Sequence, residues 1–305
     1  MNFCMKMLVL RLFEFFLIQL ILSGVNSLSY ERQGEDWEGT CATGNKQSPI
    51  DVITNKTIKT TFTAFTFMNY DQEVNLEVSN KAHSIKFQIP PPQTKFTPPY
   101  VRGGGLKNNY QFLQGHFHWG SEPHHGSEHK IDGKFSPMEV HLVHWNTDLG
   151  NDESEAIASN EYNALAVLSG RFKIGKENLE LKSLFEALSN VEKAGKKSKI
   201  KQKMKLSVFA PKQLDSFYRY NGSLTTPGCN EIVVWTLFKD PIEISEEQFK
   251  EICKTKNEKN AANANNYRIV QPLNGRQVLD SSAVYSSRID ILLSLASVMI
   301  LLILN

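Results

Sequence analysis

From Thr60 to Ile89 short β-rich runs alternate with polar breaks, as in Phe62-Thr63-Ala64-Phe65-Thr66-Phe67 and Asn75-Leu76-Glu77-Val78. A period of two is the mark of a strand with one buried face. Phe112-Leu113-Gln114-Gly115-His116-Phe117-His118-Trp119-Gly120 and Met138-Glu139-Val140-His141-Leu142-Val143-His144-Trp145 are apolar and aromatic and predict two more strands. Ile131-Asp132-Gly133-Lys134 between them carries a turn signal, so these two are expected to run antiparallel. Helical patterning is scarce. It covers Glu153 to Asn160 and Asn178 to Ala194, where Leu179, Leu181, Leu184, Phe185 and Leu188 fall roughly on one face. Pro90-Pro91-Pro92 and Pro98-Pro99 mark a loop before Gly103-Gly104-Gly105. The pattern predicts a mainly β (α+β) fold with peripheral helices.

Composition narrows this to one domain. The 305 residues show no internal repeat and no low-complexity linker, and a hydrophobic fraction of 41% is enough for a core. A net charge of +2 gives no reason to propose nucleic acid as a partner, and nothing in the sequence speaks to an oligomer. The basic run from Lys193 to Lys205 reads by default as a solvated loop after a helix, with attraction of anionic lipid or polyanions as the less favoured alternative.

Both ends carry apolar segments. Residues 1–27 read as a secretory signal, with Lys6 and Arg11 before the stretch Phe15 to Leu22 and with Val25 and Ser27 as small residues for cleavage. The domain proper is expected over 28–280. In 281–305, Ser281-Ser282-Ala283, a spacer from Val284 to Arg288 and an apolar tail ending at Asn305 follow the order of a glycolipid-anchor signal. Ser281 and Ser282 are the anchor candidates. No basic residue follows the tail, as a stop-transfer span would want, so a single-pass membrane span is the alternative rather than the first reading. Of four cysteines, Cys4 leaves with the signal, and Cys41, Cys229 and Cys253 remain in an oxidising compartment with one of them odd. Cys253 reads as a buried free thiol, with an intermolecular link as the less favoured alternative. Two sequons remain, and Asn55 is favoured over Asn221, whose glycan would stand four residues from Thr225.

The candidate chemistry lies in His116, His118 and His141. A strand points residues i and i+2 to one side, so His116 and His118 share a face, and an adjacent antiparallel strand can bring His141 to them. Three neutral nitrogen ligands leave a coordination position open, which suits catalytic zinc, whereas structural zinc is usually closed by four ligands. Gln114 lies two before His116 and Glu139 two before His141, each on its histidine's face, where it can accept from the second ring nitrogen and orient it. Without them a His-x-His pair is more often a chance of composition than a site.

Beyond these residues the chain carries Ser127-Glu128-His129, Glu139 to Asn146, Ser223-Leu224-Thr225-Thr226-Pro227-Gly228, Gln47-Ser48-Pro49-Ile50-Asp51 and Asn266 to Leu273 in order. From about Tyr30 onward it resembles the α-class carbonic anhydrases over nearly the whole mature chain. The resemblance implies a single large, twisted, mostly antiparallel sheet with one zinc ion at the base of a conical cleft. It implies reversible hydration of carbon dioxide to bicarbonate and a proton, by attack of a hydroxide held on zinc. Glu128 and Thr225 would then aim the nucleophile, and Asn266 would support His118 through its backbone carbonyl, its side chain mattering less. Val143, Val167, Leu224, Val233 and Trp235 would form an apolar wall for carbon dioxide, although without the resemblance they read as ordinary core. Thr226 would contact bicarbonate, and His83 would shuttle protons, with a surface histidine of no function as its alternative. His129 and His144 match structural positions, and His124 and His125 look like loop residues. A Cys41–Cys229 disulfide is implied as well. Three departures stand out: Lys81-Ala82 replaces the usual Asn-Gly before the shuttle histidine, Gly115 stands where an apolar side chain usually precedes the first ligand, and Phe135 arrives one place early. An acatalytic binding module of the same fold is the rival from another class, but such relatives lack ligand histidines and this chain lacks none. Ester hydrolysis by the same nucleophile would be a side activity.

Overall fold

Fifteen strands are found among the described residues, which in this computed structural model are 29–91 and 96–281. The expected leader, Pro92, Ser282 and the apolar tail lie outside them. In chain order the first eight are β1 Asp51–Val52, β2 Ile58–Thr60, β3 Phe65–Met68, β4 Glu77–Asn80, β5 Ile85–Gln88, β6 Tyr100–Gly103, β7 Leu106–Trp119 and β8 Lys130–Ile131. The others are β9 Met138–Asn146, β10 Leu165–Ile174, β11 Lys197–Lys199, β12 Phe217–Gly222, β13 Val233–Phe238, β14 Ile242–Ile244 and β15 Leu279–Ser281. Thirteen belong to one sheet whose main path runs β11-β4-β5-β7-β9-β10-β13-β12-β15-β2. The predicted β7–β9 antiparallel pair lies at its middle. Most pairings are antiparallel, as expected, but β10 runs parallel to β13 and β14, and β15 runs parallel to β2. Those parallel pairs need long crossovers, which a local pattern does not reveal.

The sheet separates two apolar clusters. One face carries Phe87, Phe117, Val140, Leu142 and Leu168, and the other carries Val143, Trp145, Leu165, Val167, Tyr220 and Trp235. Strand β7 changes sides along its length. Tyr110 and Phe112 pack in the first cluster, but a register shift between Phe112 and Gln114 leaves Leu113 as an extra residue opposite β9. A bulge of this kind offsets the alternation by one. Beyond it Gly115 and Phe117 take the core side, and Gln114, His116 and His118 turn to the opposite side.

Gly115 does not loosen the strand. Its partner across β5 is Phe87, and a Cβ built on Gly115 would come within 2.1 Å of that ring. The ring therefore occupies the space a side chain would take, is fully buried, and stacks on Phe209 at 4.1 Å between centroids. Burial of a side chain this size contributes about 2–3 kcal/mol.

The helices need two corrections. Glu153–Ala158 forms as expected, with Asp152 Oδ1 accepting from Glu155 N–H at 2.9 Å. Asn178 to Ala194 breaks into a 3-10 turn Leu179–Leu181, a helix Lys182–Leu188 and a 3-10 turn Ser189–Val191. Leu179 is 70% exposed and leaves the apolar face, because the tighter opening turn does not keep helical phase. A further helix, Glu246–Cys253, was not foreseen, though Ser245 and Gln248 form a capping box legible as S-x-x-Q. Cys253 at its end is a free thiol, half-buried rather than buried, with burial pushing its pKa up to about 11. Among the described residues no helix is long and apolar enough to cross a membrane.

Candidate metal centre

His116, His118 and His141 converge because β7 and β9 pair with His116 opposite His141. Ligand atoms from all three lie within 4.8 Å of one another. Each ring has its second nitrogen occupied by an acceptor. His116 Nδ1–H donates to Gln114 Oε1 at 3.0 Å, His118 Nδ1–H to the Asn266 carbonyl at 2.7 Å, and His141 Nε2–H to Glu139 Oε1 at 2.7 Å. That leaves Nε2, Nε2 and Nδ1 to face one another. His118 Nε2 is buried without a hydrogen-bond partner, a costly state for a polar atom unless a metal takes it. Burial holds the pKa of His116 well below the usual imidazole value and that of His118 down to about 4, so at neutral pH both offer the neutral ring that a metal needs. The residues fit zinc, with imidazole donors and oriented rings.

Glu139 is held from several sides. It accepts from the His129 backbone N–H at 2.9 Å, from His129 Nδ1–H at 2.7 Å and from the Ser169 hydroxyl at 2.6 Å, besides His141. Burial opposes its ionisation, yet His129 and His141 outweigh that and hold its pKa well below the ordinary value. His129, Glu139 and His141 also lie close enough together to suggest a second metal group. Their facing atoms are already spent on hydrogen bonds among themselves, so the cluster is a support for the first site. His129 Nε2 reaches the Tyr220 hydroxyl at 2.7 Å, and His144 bonds the Tyr70 hydroxyl, so both histidines are structural.

Glu128 is fully buried beside the ligands. Its Oε1 accepts the Arg268 backbone N–H at 2.9 Å, while Oε2 lies 3.5 Å from His118 Nε2. Burial raises its pKa to about 7, moderated by His141, by the Thr225 hydroxyl and by the Arg268 N–H. Oε2 itself makes no bond of ordinary hydrogen-bond geometry. The Thr225 loop is fastened from a distance. Ser48 N–H donates to Ser223 Oγ at 2.9 Å and Ser223 N–H donates back to Ser48 Oγ at 3.0 Å. Buried Arg268 donates to Gln47 Oε1, to the Ser48 carbonyl and to the Cys41 carbonyl, each at 2.8 Å. The disulfide Cys41–Cys229, 188 residues apart in sequence, closes the same region. Such a bridge typically adds about 2–4 kcal/mol.

Over the histidines opens a cavity of about 290 Å³ lined by Val143, Val167, Leu224, Trp235, Thr225 and Thr226. Val233 is not on its wall. It shares a face with Trp235 but is fully buried in the apolar cluster behind. Leu113, Ile157 and Leu165 line the wall instead, and the pattern does not single them out, because the bulge brings Leu113, the β9–β10 register brings Leu165 and the packing of the Glu153–Ala158 helix on β9 brings Ile157. His83 lines this cavity and also a wider outer hollow of about 630 Å³. Ala82 before it keeps the left-handed backbone, at φ 69°, that a glycine would adopt without strain. The Asn266 side chain matters more than expected: Oδ1 accepts the Trp119 N–H at 2.7 Å and Nδ2 donates to the His83 carbonyl at 2.8 Å. Phe135 packs edge-on to His125 with 3.7 Å between centroids, outside the cavity.

A family model for eukaryotic-type carbonic anhydrase matches residues 32–282. The chain belongs to that family. It is 38% identical to Carbonic anhydrase 4 of Rattus norvegicus over 255 residues, 82% of this chain and 79% of that protein. With Carbonic anhydrase 4 of Mus musculus it shares 33% identity at the same coverage, and with Carbonic anhydrase 1 of Monodelphis domestica 33% over 258 residues, 82% of this chain and 96% of the relative. The protein is thus a zinc lyase that hydrates carbon dioxide to bicarbonate, and its histidine cluster can hold the metal.

The remaining sites are mixed. Asn55 is exposed on the 3-10 turn Thr54–Lys56. Asn221, in β12, is exposed too, but it pairs with Val234 of β13, on the face away from Tyr220 and Trp235. Closeness to Thr225 in sequence therefore does not put it over the cleft. Ser281 belongs to β15, is buried, and donates its hydroxyl to the Asp215 carbonyl at 2.9 Å.

Proposed function

We propose that this carbonic anhydrase works at the outer cell surface and that His83 carries the proton out of the cleft. The observation that carries the relay is the place of His83, on the wall of the histidine cavity and of the outer hollow alike. Zinc in a three-histidine site, of which carbonic anhydrases are the standard example, supplies a Lewis acid that makes water acidic enough to ionise near neutrality. Gln114, Glu139 and the Asn266 carbonyl keep the three rings in register for it. Burial lowers the His83 pKa, so the ring is neutral at pH 7 and free to accept a proton. A Thr225 hydroxyl donating to Glu128, in keeping with Thr225 lowering the Glu128 pKa, would leave its own oxygen only an acceptor toward the cleft and fix the orientation of what it receives. Val143, Val167, Leu224 and Trp235 offer carbon dioxide, which has no donors, an apolar wall, and Thr226 offers bicarbonate a polar contact.

The disulfide favours an oxidising compartment, in keeping with the leader-like residues 1–27. The apolar tail supports a glycolipid anchor. Of its two candidates Ser282 is preferred, since Ser281 is committed to the sheet. In stopped-flow carbon dioxide hydration, His83→Ala lowers turnover about tenfold or more in dilute buffer and imidazole restores part of it; equal rates in both conditions would remove His83 from the relay. Phosphatidylinositol-specific phospholipase releases the protein from intact cells, and retention after the enzyme has freed a control glycolipid protein would point to a spanning tail instead.

A further inference from the structure

Seven lysines fall between Lys193 and Lys205 with no acidic residue among them, and all seven are exposed. The segment holds seven of the 34 Lys and Arg residues and none of the 32 Asp and Glu. In a chain of net charge +2 the remainder is therefore net negative, and this segment is a local excess of positive charge. Its arrangement is regular. From 197 to 205 every odd position is lysine, while Ile200, Met204 and Leu206 at even positions are buried. Backbone bonds hold the segment to the sheet, with Ile200 N–H donating to the Leu76 carbonyl and Met204 N–H to the Val74 carbonyl, both at 2.9 Å. In β11 alternate side chains stand roughly 6.6 Å apart, whereas beyond it the backbone bends at 201–202 and sets the four-residue step from Ile200 to Met204 against the two-residue step from Leu76 to Val74. Of these seven lysines, only Lys197 has a carboxylate of the described residues within 4.0 Å, Glu77 at 3.9 Å.

Lysines protect an edge strand from pairing with another chain, and that would account for Lys197 and Lys199 in β11. It does not account for Lys201, Lys203 and Lys205, which lie beyond the strand's end. We propose that the comb is a docking strip for a sulfated polysaccharide chain. A run of exposed ammonium groups with no acidic residue among them matches a linear polymer of fixed negative charges, and such charges bind with release of counterions. The disulfide points to a compartment where the available polyanions are sulfated glycans and lipid headgroups rather than nucleic acid. Two observations then favour the glycan over a bilayer. Strand β11 ends the sheet path on one side, and β15, from which the chain continues to its tail, lies next to the last strand on the other. Among the described residues the strip itself carries no exposed large hydrophobic residue, and of Ile58, Met68, Tyr162 and Leu179 only Leu179 belongs to an element packed near it, whereas interfacial membrane binding needs several apolar side chains beside the basic ones.

The test measures binding of the full-length, zinc-loaded protein to immobilised heparin across a salt series. It is run beside the quadruple variant Lys199→Gln, Lys201→Gln, Lys203→Gln, Lys205→Gln, and beside a control of equal net charge, Lys46→Gln, Lys56→Gln, Lys107→Gln, Lys212→Gln. The strip variant is expected to bind at least tenfold more weakly, with a shallower dependence of log affinity on log salt. The control stays within about twofold of the parent, and both variants keep the parent's hydration rate. Equal loss in the two variants would reduce the effect to net charge and overturn the proposal. So would stronger binding to vesicles containing phosphatidylserine than to heparin, or unchanged binding of the strip variant.

Discussion

The two faces of β7 and β9 carry opposite chemistries. On one face Gly115, Phe117, Val140 and Leu142 meet Phe87 and Phe209 in a core of ordinary apolar packing. On the other, within the same hydrogen-bonded ladder, stand His116, His118, Glu139 and His141. Polar groups in that density are tolerated because each has a partner, and the atom without one is a ligand position. The comparison teaches that stability and chemistry are divided by residue parity: a rigid strand keeps three rings aimed because its opposite side is tightly packed.

Changes confined to one face test that division. His118→Ala should lower zinc affinity and carbon dioxide hydration by more than about a thousandfold, by removing one of three ligands from a metal that supplies the chemistry. Zinc titration with a chelating dye and stopped-flow hydration read this, and a variant retaining zinc and rate would break the assignment. Phe87→Ala acts on the other side. It should cost about 3–5 kcal/mol of unfolding free energy, since the cavity would open against Gly115, which has no side chain to fill it. Denaturant unfolding gives the value, and zinc affinity measured well below the transition should stay near that of the parent. Glu139→Gln is the smallest of the three. It keeps shape but weakens the acceptor shared by His129, His141 and Ser169, and should lower zinc affinity about 10–100-fold. If it matched His118→Ala, Glu139 would be doing more than orienting a ring.

Much of the site was legible because it rests on local spacing. His-x-His and the polar residue two places earlier share a face in any strand, so Gln114 with His116 and Glu139 with His141 could be paired before any fold was known. The disulfide and the loop fastened to Ser48 were legible only through resemblance, since Cys41 and Cys229 are 188 residues apart. Other features had no local signal. Ser169 reaches Glu139 because it stands opposite His141 in β10. Val233 was placed on the wall by family position, yet the register of β13 keeps it behind Trp235.

The sequence by itself determined that His116 and His118 act as a pair and that an antiparallel neighbour could present His141, because both follow from a period of two. Which side of the sheet received the histidines was decided only in the tertiary structure. Tyr110 and Phe112 have the same parity as Gln114, His116 and His118, yet they face the core, and the extra residue at Leu113 moves the ligands to the cleft. A bulge exists only against a partner strand in a definite register, so its position is a property of β7 and β9 together.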